Sequence, residues 1–256
     1  MIKQWSVCYP AVNGPEQRSV YVYLPTMYQD QPERRFPVLY MFDGQNVFFD
    51  SDATYGKSWG LADYLDYTDT PLIVAAVACN AGVNNERLVE YSPYRFDDAQ
   101  YGHFDGQGQA TLDWYIHQFK PQVDRQFRTL PDRKHTFIGG SSMGGLMSLY
   151  ALLQYNRTFS RAAALSPSLW VAPKELSALV QEAPLALDTV LYMDYGSQEM
   201  ANHPRVRRGF AQLTSQMLLR GIPLTSRLVP GGTHNEASWE KQLPFVFHTL
   251  LYGLEE

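Results

Sequence analysis

Seven residues, Gly139-Gly140-Ser141-Ser142-Met143-Gly144-Gly145, constrain this chain more than any other stretch. They join a β-rich run, Lys134-His135-Thr136-Phe137-Ile138, to a helical pattern, Leu146-Met147-Ser148-Leu149-Tyr150-Ala151-Leu152-Leu153. A chain that passes from strand to helix in so few residues must turn sharply. G-x-S-x-G at such a corner is a nucleophile elbow, which lifts a serine Oγ above the edge of a sheet. Gly140 and Gly144 flank Ser142 because a Cβ at either place blocks the close approach of strand and helix. The bland alternative is a glycine-rich turn with an idle serine, so the residues around it have to decide.

The hydrophobic pattern predicts the sheet on which this elbow stands. Residues 36–42 and 71–77 are near-continuous apolar runs, the signature of strands covered on both faces. Further runs occupy 161–165, 189–194 and 224–229, and helical patterns cover 109–128, 144–154, 203–220 and 238–251. Strands alternating with helices predict an α/β fold with a mostly parallel central sheet and helices on both faces. The N-terminus differs: residues 6–9 and 19–24, joined through Asn13-Gly14-Pro15, predict an antiparallel hairpin. No repeat, low-complexity tract or linker divides the chain, so residues 1–256 are expected to form one catalytic domain without a large separate lid.

Hydrophobic residues make up 45% of the chain, ample for a large core. A net charge of −5 with no basic stripe argues against a nucleic-acid partner. Cys8 and Cys79 make no disulfide framework and read as reduced thiols. Met1-Ile2-Lys3-Gln4-Trp5 lacks the apolar centre of a signal peptide, and no run approaches membrane-spanning length. A soluble, cytoplasmic protein without a membrane partner is expected.

A serine nucleophile needs a base, itself oriented by a carboxylate. Such groups collect at the C-terminal ends of parallel strands. His135 lies at the wrong end of its strand, His117 and His248 sit within helical patterns, and His203 opens one. His103, in a glycine-rich loop, stays open. His234, in the loop after the run 224–229, is the expected base. Between Ser142 and His234, two carboxylates qualify as the acid: Asp194, still within an apolar run, and Glu199, favoured because it lies in the loop past Gly196. Two backbone N–H groups should hold an oxyanion, Met143 after the serine and Gln45 in the turn Asp43-Gly44-Gln45-Asn46. Gly106-Gln107-Gly108 follows no strand and is not a dinucleotide loop, and no His, Cys, Asp or Glu group has metal-ligand spacing. Neither cofactor nor metal is expected.

Six segments in order carry a resemblance: Met41-Phe42-Asp43-Gly44-Gln45-Asn46, Arg87 with Glu90-Tyr91-Ser92-Pro93, Gly139 through Gly145, Leu165-Ser166-Pro167-Ser168-Leu169-Trp170, Gly196 with Glu199, and Gly232-Thr233-His234-Asn235-Glu236-Ala237-Ser238-Trp239. Together they resemble the esterase family of the α/β hydrolase superfamily, with its siderophore (enterobactin-type) esterases, S-formylglutathione hydrolases and feruloyl esterases. The resemblance implies an α/β hydrolase fold, Ser142 as nucleophile, His234 as base and an acid at Gly-x-x-Asp/Glu, hence Glu199. Glutamate replaces the aspartate commoner in that superfamily.

The expected reaction is hydrolysis of small-molecule carboxylic esters through an acyl-enzyme on Ser142. The alternatives are an acyltransferase using the same intermediate and a non-catalytic binding protein that keeps the fold. Aromatic residues crowd the loops around the expected site: Phe48, Phe49, Tyr55, Trp59, Tyr91, Tyr94, Phe96, Tyr101, Phe104 and Trp170. Trp170, Trp59 and Tyr91 are the expected walls of a substrate pocket, against the plainer reading that such rings pack the loops. Arg87 and Glu90 are expected to pair with each other, and 97–109 to form a polar flap.

Overall fold

The apolar runs become strands covered on both faces. The computed structural model describes residues 1–80, 82, 85–99, 102–201 and 203–254. Its strands are β1 (Ile2–Ala11), β2 (Gly14–Tyr23), β3 (Val38–Met41), β4 (Ile73–Val77), β5 (Phe96–Asp98), β6 (Gly102–Phe104), β7 (Thr136–Ser141), β8 (Arg161–Leu165), β9 (Val190–Gly196) and β10 (Leu224–Val229). Its α-helices are α1 (Leu61–Tyr67), α2 (Glu86–Glu90), α3 (Gly108–Trp114), α4 (Lys120–Gln126), α5 (Met143–Gln154), α6 (Pro173–Glu182), α7 (Ser197–Ala201), α8 (Pro204–Leu219), α9 (Glu236–Glu240) and α10 (Leu243–Leu251). Eight strands form one sheet in the order β1-β2-β4-β3-β7-β8-β9-β10. The hairpin β1–β2 and the β2–β4 pair are antiparallel, and the other pairs are parallel. This is the α/β hydrolase type of sheet that the pattern and the resemblance lead one to expect.

Alternate residues along each central strand enter different cores. Val38, Tyr40 and Phe42 pack on one face with Ile73, Ala75 and Val77, against Leu112 of α3, Val123 of α4 and the apolar body of α5. Leu39, Met41, Val74 and Ala76 pack on the other, against Leu61 and Leu65 of α1 and Val246, Phe247 and Leu250 of α10. Each fully buried aliphatic or aromatic side chain contributes about 1.5–3 kcal/mol, so the two layers hold the sheet rigid. Among the described residues no helix is long and apolar enough to cross a membrane.

Three helical or loop stretches differ from the sequence expectation for local reasons. The pattern over 109–128 is interrupted by a π-helical turn, Tyr115–Phe119. Pro121 follows in the first turn of α4; its ring nitrogen has no hydrogen to donate back, which favours such a widened turn before it. The pattern over 238–251 divides into α9 and α10 because Pro244 opens a fresh helix. Within 97–109, β5 and β6 pair as an antiparallel ribbon in which Phe96 stacks on Phe104 at 4.8 Å.

Arg87 and Glu90 do not pair with each other, contrary to expectation. Glu90 takes Arg18 of β2 bidentately, at 2.6 and 2.7 Å, with both side chains almost wholly buried. Arg18 also lies 3.9 Å over the Tyr9 ring, whose hydroxyl meets Thr111 at 2.8 Å. An i,i+3 pair on an exposed helix surface stabilises by only about 0.2–0.5 kcal/mol, whereas a desolvated fork on a carboxylate is far stronger. Removing one partner leaves a buried charge unanswered. Glu90→Ala should therefore cost about 3–5 kcal/mol in urea unfolding, and a Glu90→Met, Arg18→Met double variant should cost much less.

Candidate active site

Because β3, β7, β8, β9 and β10 run parallel, their C-terminal ends share one edge of the sheet, where Asp43, Ser142, Ser166, Glu199 and His234 leave it. Ser142 has φ 58° and ψ −120°, a left-handed conformation that a side-chain-bearing residue adopts only when its surroundings compel it. Here hydrogen bonds compel it: the Ser142 N–H donates to Leu165 O at 2.9 Å, and its carbonyl accepts from Ser168 N at 3.0 Å. A Cβ on Gly140 would stand 2.9 Å from the Gly144 backbone, so the turn closes only over glycine. Among the described residues the Ser142 hydroxyl has no hydrogen-bond partner.

Glu199 and His234 meet at 2.6 Å, Oε2 to Nδ1. Their loops come together because a Cβ-less Gly196 packs directly on the Gly232 backbone, where a side-chain carbon would stand 2.3 Å away. The other carboxylate oxygen accepts from Ser166 Oγ at 2.7 Å and from the Gly196 N–H at 2.8 Å. Ser166 Oγ in turn accepts from Trp239 Nε1 at 3.0 Å, and the Trp239 ring meets the imidazole edge-on at 5.1 Å. Glu199, His234, Trp239 and Ser166 thus close a ring of contacts. Burial alone would raise the Glu199 pKa, but the hydrogen bonds from His234, Ser166 and Gly196 outweigh it and hold the carboxylate below its ordinary range. An anionic acceptor on Nδ1 fixes the ring tautomer that leaves Nε2 free to take a proton.

The alternative carboxylate faces elsewhere. Asp194 is 1% exposed; it accepts from Tyr192 Oη at 2.7 Å and from Ser166 N at 3.3 Å, and burial pushes its pKa up to about 6. His103 lies on the β5–β6 ribbon, between Asp97 at 2.6 Å and the Arg95 Nε donor at 2.9 Å.

The turn after β3 is clamped. Asp43 has φ 56°, its N–H donates to Tyr91 Oη at 3.3 Å, and Arg87 grips its carboxylate at 2.6 and 2.8 Å. Gln45 holds the next strand end with its side chain: Oε1 accepts from Cys79 N at 3.1 Å and Nε2 donates to Cys79 Sγ at 3.1 Å. Among the described residues neither the Gln45 nor the Met143 N–H donates to a backbone carbonyl. Burial raises the Cys79 thiol to about 12, so it stays protonated and is a poor nucleophile.

Ser142, Met143, Gln45, Arg87, Trp170 and His234 line one cavity of about 540 Å³. Two of the three expected walls lie outside it. Trp59 is 3% exposed and packs on Trp239 at 6.0 Å; Tyr91 is 2% exposed and packs on Phe42 at 5.0 Å. Both rings sit under loops next to the sheet, where full burial gains more than exposure to a cavity. Trp170, 39% exposed, does line the cavity, and so does Tyr55. Tyr101 lies outside the described residues. Ser166, Trp239 and the Asp43–Arg87 clamp carry no signal in the sequence beyond the segments that gave the family resemblance.

Asp194 gives this region a measurable pH dependence. Its folded pKa of about 6 lies above the 3.8 of an unpaired aspartate in water. Stability from this group is therefore complete below that lower value and is lost as pH rises through about 6. Asp194→Asn should unfold with about 2–3 kcal/mol more stability than the parent at pH 7.5. The gap should close as urea midpoints are followed down to pH 4, and a gap independent of pH would count against the burial argument.

Residues 13–249 match the family model described as "Putative esterase". An uncharacterized protein of Bacillus subtilis, YbbA, is 25% identical over 205 residues, covering 77% of this chain and 74% of the relative. An IroE-like serine hydrolase of Shewanella oneidensis superposes with a TM-score of 0.75 at 20% identity, over 97% of this chain and 79% of the other. The siderophore hydrolase EstA of Aspergillus nidulans does so with a TM-score of 0.73 at 19% identity, over 97% and 95%. At these identities the two structures show a shared fold.

Proposed function

The chain belongs to the Esterase family of ester-bond hydrolases, and on that premise we propose that it is a serine carboxylesterase acting through an acyl-enzyme on Ser142. The observation that carries this reading is the 2.6 Å contact of Glu199 with His234 on the wall of the cavity that also holds Ser142. Ser142 Oγ attacks the ester carbonyl while His234 Nε2 takes its proton. Glu199, held anionic, stabilises the imidazolium that forms. The Met143 and Gln45 N–H groups receive the oxyanion. Collapse breaks the bond to the alcohol, which leaves with the proton from His234. Water, activated by the same base, then releases the acid.

Half of the His234 side chain is exposed, 47%, which favours water over a sheltered acceptor alcohol and hence hydrolysis over acyl transfer. The Aspergillus protein is a siderophore hydrolase, which brings siderophore esters into scope alongside simple acyl esters. A non-catalytic role is disfavoured by a strained Ser142 with an unspent hydroxyl, since strain at an idle turn would serve nothing.

Ser142→Ala and His234→Ala should each lower kcat by about 10⁴–10⁶-fold on p-nitrophenyl esters from acetate to octanoate and on methyl ferulate. Glu199→Gln should cost about 10²–10⁴-fold, and Asp194→Asn no more than a few-fold. Full turnover by Ser142→Ala, or a loss in Asp194→Asn equal to that in Glu199→Gln, would overturn the assignment. Labelling of the parent by a fluorophosphonate and none of Ser142→Ala would exclude the scaffold reading.

A further inference from the structure

We propose that a second cavity, adjoining the first at Ser168, Trp170 and His234, is the subsite for the body of the leaving alcohol and that it takes an aryl alcohol carrying an anionic substituent. The proposal rests on the serine-esterase reading above and adds the substrate class. The cavity has a volume of about 570 Å³. It shares Ser168, Trp170 and His234 with the cavity of Ser142, so the imidazole stands where the two meet. It contains Glu199 and His234 on its wall but none of Ser142, Met143 and Gln45.

That partition has a chemical meaning. In the cleavage step the Ser142 Oγ–carbonyl bond has formed and the bond from carbonyl carbon to alcohol oxygen breaks. The electron pair stays on the departing oxygen, and the proton held by His234 goes to it. The departing group must therefore lie against the imidazole, while the carbonyl oxygen lies against the Met143 and Gln45 N–H groups. The cavity with Ser142 and the N–H donors holds the acyl group and the departing oxygen at Nε2, and the cavity that adjoins it at Ser168, Trp170 and His234 receives the rest of the alcohol.

Its walls say what kind of alcohol. Trp170 stands edge-on to Phe96 at 5.7 Å, and Tyr195 is braced by Phe210 at 5.3 Å and donates its hydroxyl to the Pro167 carbonyl. With Pro204 and Val206 these give flat, fixed, apolar faces suited to a ring. Arg205 and His203 stand exposed on the same wall, and among the described residues neither side chain has a hydrogen bond or ion pair. Asp98, the carboxylate on this wall other than Glu199, already has an interaction of its own. An uncommitted guanidinium beside apolar faces matches a carboxylate, sulfonate or phosphate on an aryl ring, which its planar fork can grip bidentately.

The test uses two esters that form the same acetyl-enzyme, phenyl acetate and 4-carboxyphenyl acetate, so a difference in kcat/KM reports the leaving-group side alone. Arg205→Gln should lower kcat/KM for 4-carboxyphenyl acetate about 3- to 10-fold and leave phenyl acetate within twofold. Raising ionic strength should erase the same difference in the parent. Monophenyl succinate, with its charge on the acyl side, should not respond to the substitution. Binding gives a readout free of turnover: 4-hydroxybenzoate should quench tryptophan fluorescence, weaken in Arg205→Gln and lose its signal in Trp170→Phe. An equal effect of Arg205→Gln on both acetates, no effect on either, or an effect that follows the succinyl charge would overturn the subsite. Failure of the parent to release phenol from phenyl acetate and monophenyl succinate, and 4-hydroxybenzoate from 4-carboxyphenyl acetate, would instead overturn the hydrolase reading on which the subsite rests.

Discussion

Two hydrogen bonds at Ser142, its N–H to Leu165 O and its carbonyl from Ser168 N, tie the elbow to the loop that follows the neighbouring strand. Everything else at the site hangs from that tie. The loop carries Ser166, itself held at φ 43°. The Ser166 hydroxyl supplies one of the hydrogen bonds that orient Glu199 and accepts the one that orients Trp239, and these two side chains hold His234 between them. The strained corner after β7 and the histidine loop after β10 therefore share one network, although 92 positions separate the two residues (234 − 142). Strain at single residues costs on the order of 1–3 kcal/mol and persists only where surrounding contacts outweigh it, as they do here at both serines.

Charge does the same work on the other side of Ser142. α2 is short, yet it braces two strands: Arg87 reaches Asp43 beyond β3, and Glu90 reaches Arg18 on β2. Each pair is bidentate and largely desolvated, so breaking either leaves a charge with poor access to water. The first pair sits beside the turn that presents the Gln45 N–H, and the second sits deeper, where it fastens the helix that carries Arg87. Rigid placement of backbone donors is what the proposed oxyanion hole requires, since such a hole acts by being in place before charge develops.

The loops divide their aromatic residues by position. Phe48, Trp59, Tyr91, Phe96 and Phe104 are buried as supports, while Trp170 and Tyr55 remain open to the cavity. The rings that face the cavity are thus held by rings that never reach it, as Phe96 holds Trp170. The outcome is two cavities of unlike character that meet at His234. One is bounded by polar side chains and backbone donors, the other by fixed apolar faces.

Much of this was legible in the residues. The near-continuous apolar runs at β3, β4, β8 and β9 specified buried parallel strands, because a strand covered on both faces has no polar side to show. The glycines around Ser142 specified a tight strand-to-helix corner, and the rule that loops at strand ends gather on one edge pointed to His234, which the structure places against Glu199. Sequence favoured Glu199 over Asp194 from its place past Gly196, but its meeting with the imidazole depends on the Gly196–Gly232 contact, which only the fold creates. Nor could sequence foresee that Arg87 and Glu90 would look past each other to Asp43 and Arg18, or that Trp59 and Tyr91 would be supports. Local pattern determines which face of an element is buried. Which distant partner meets it, and in what geometry, is decided only when the strands are brought side by side.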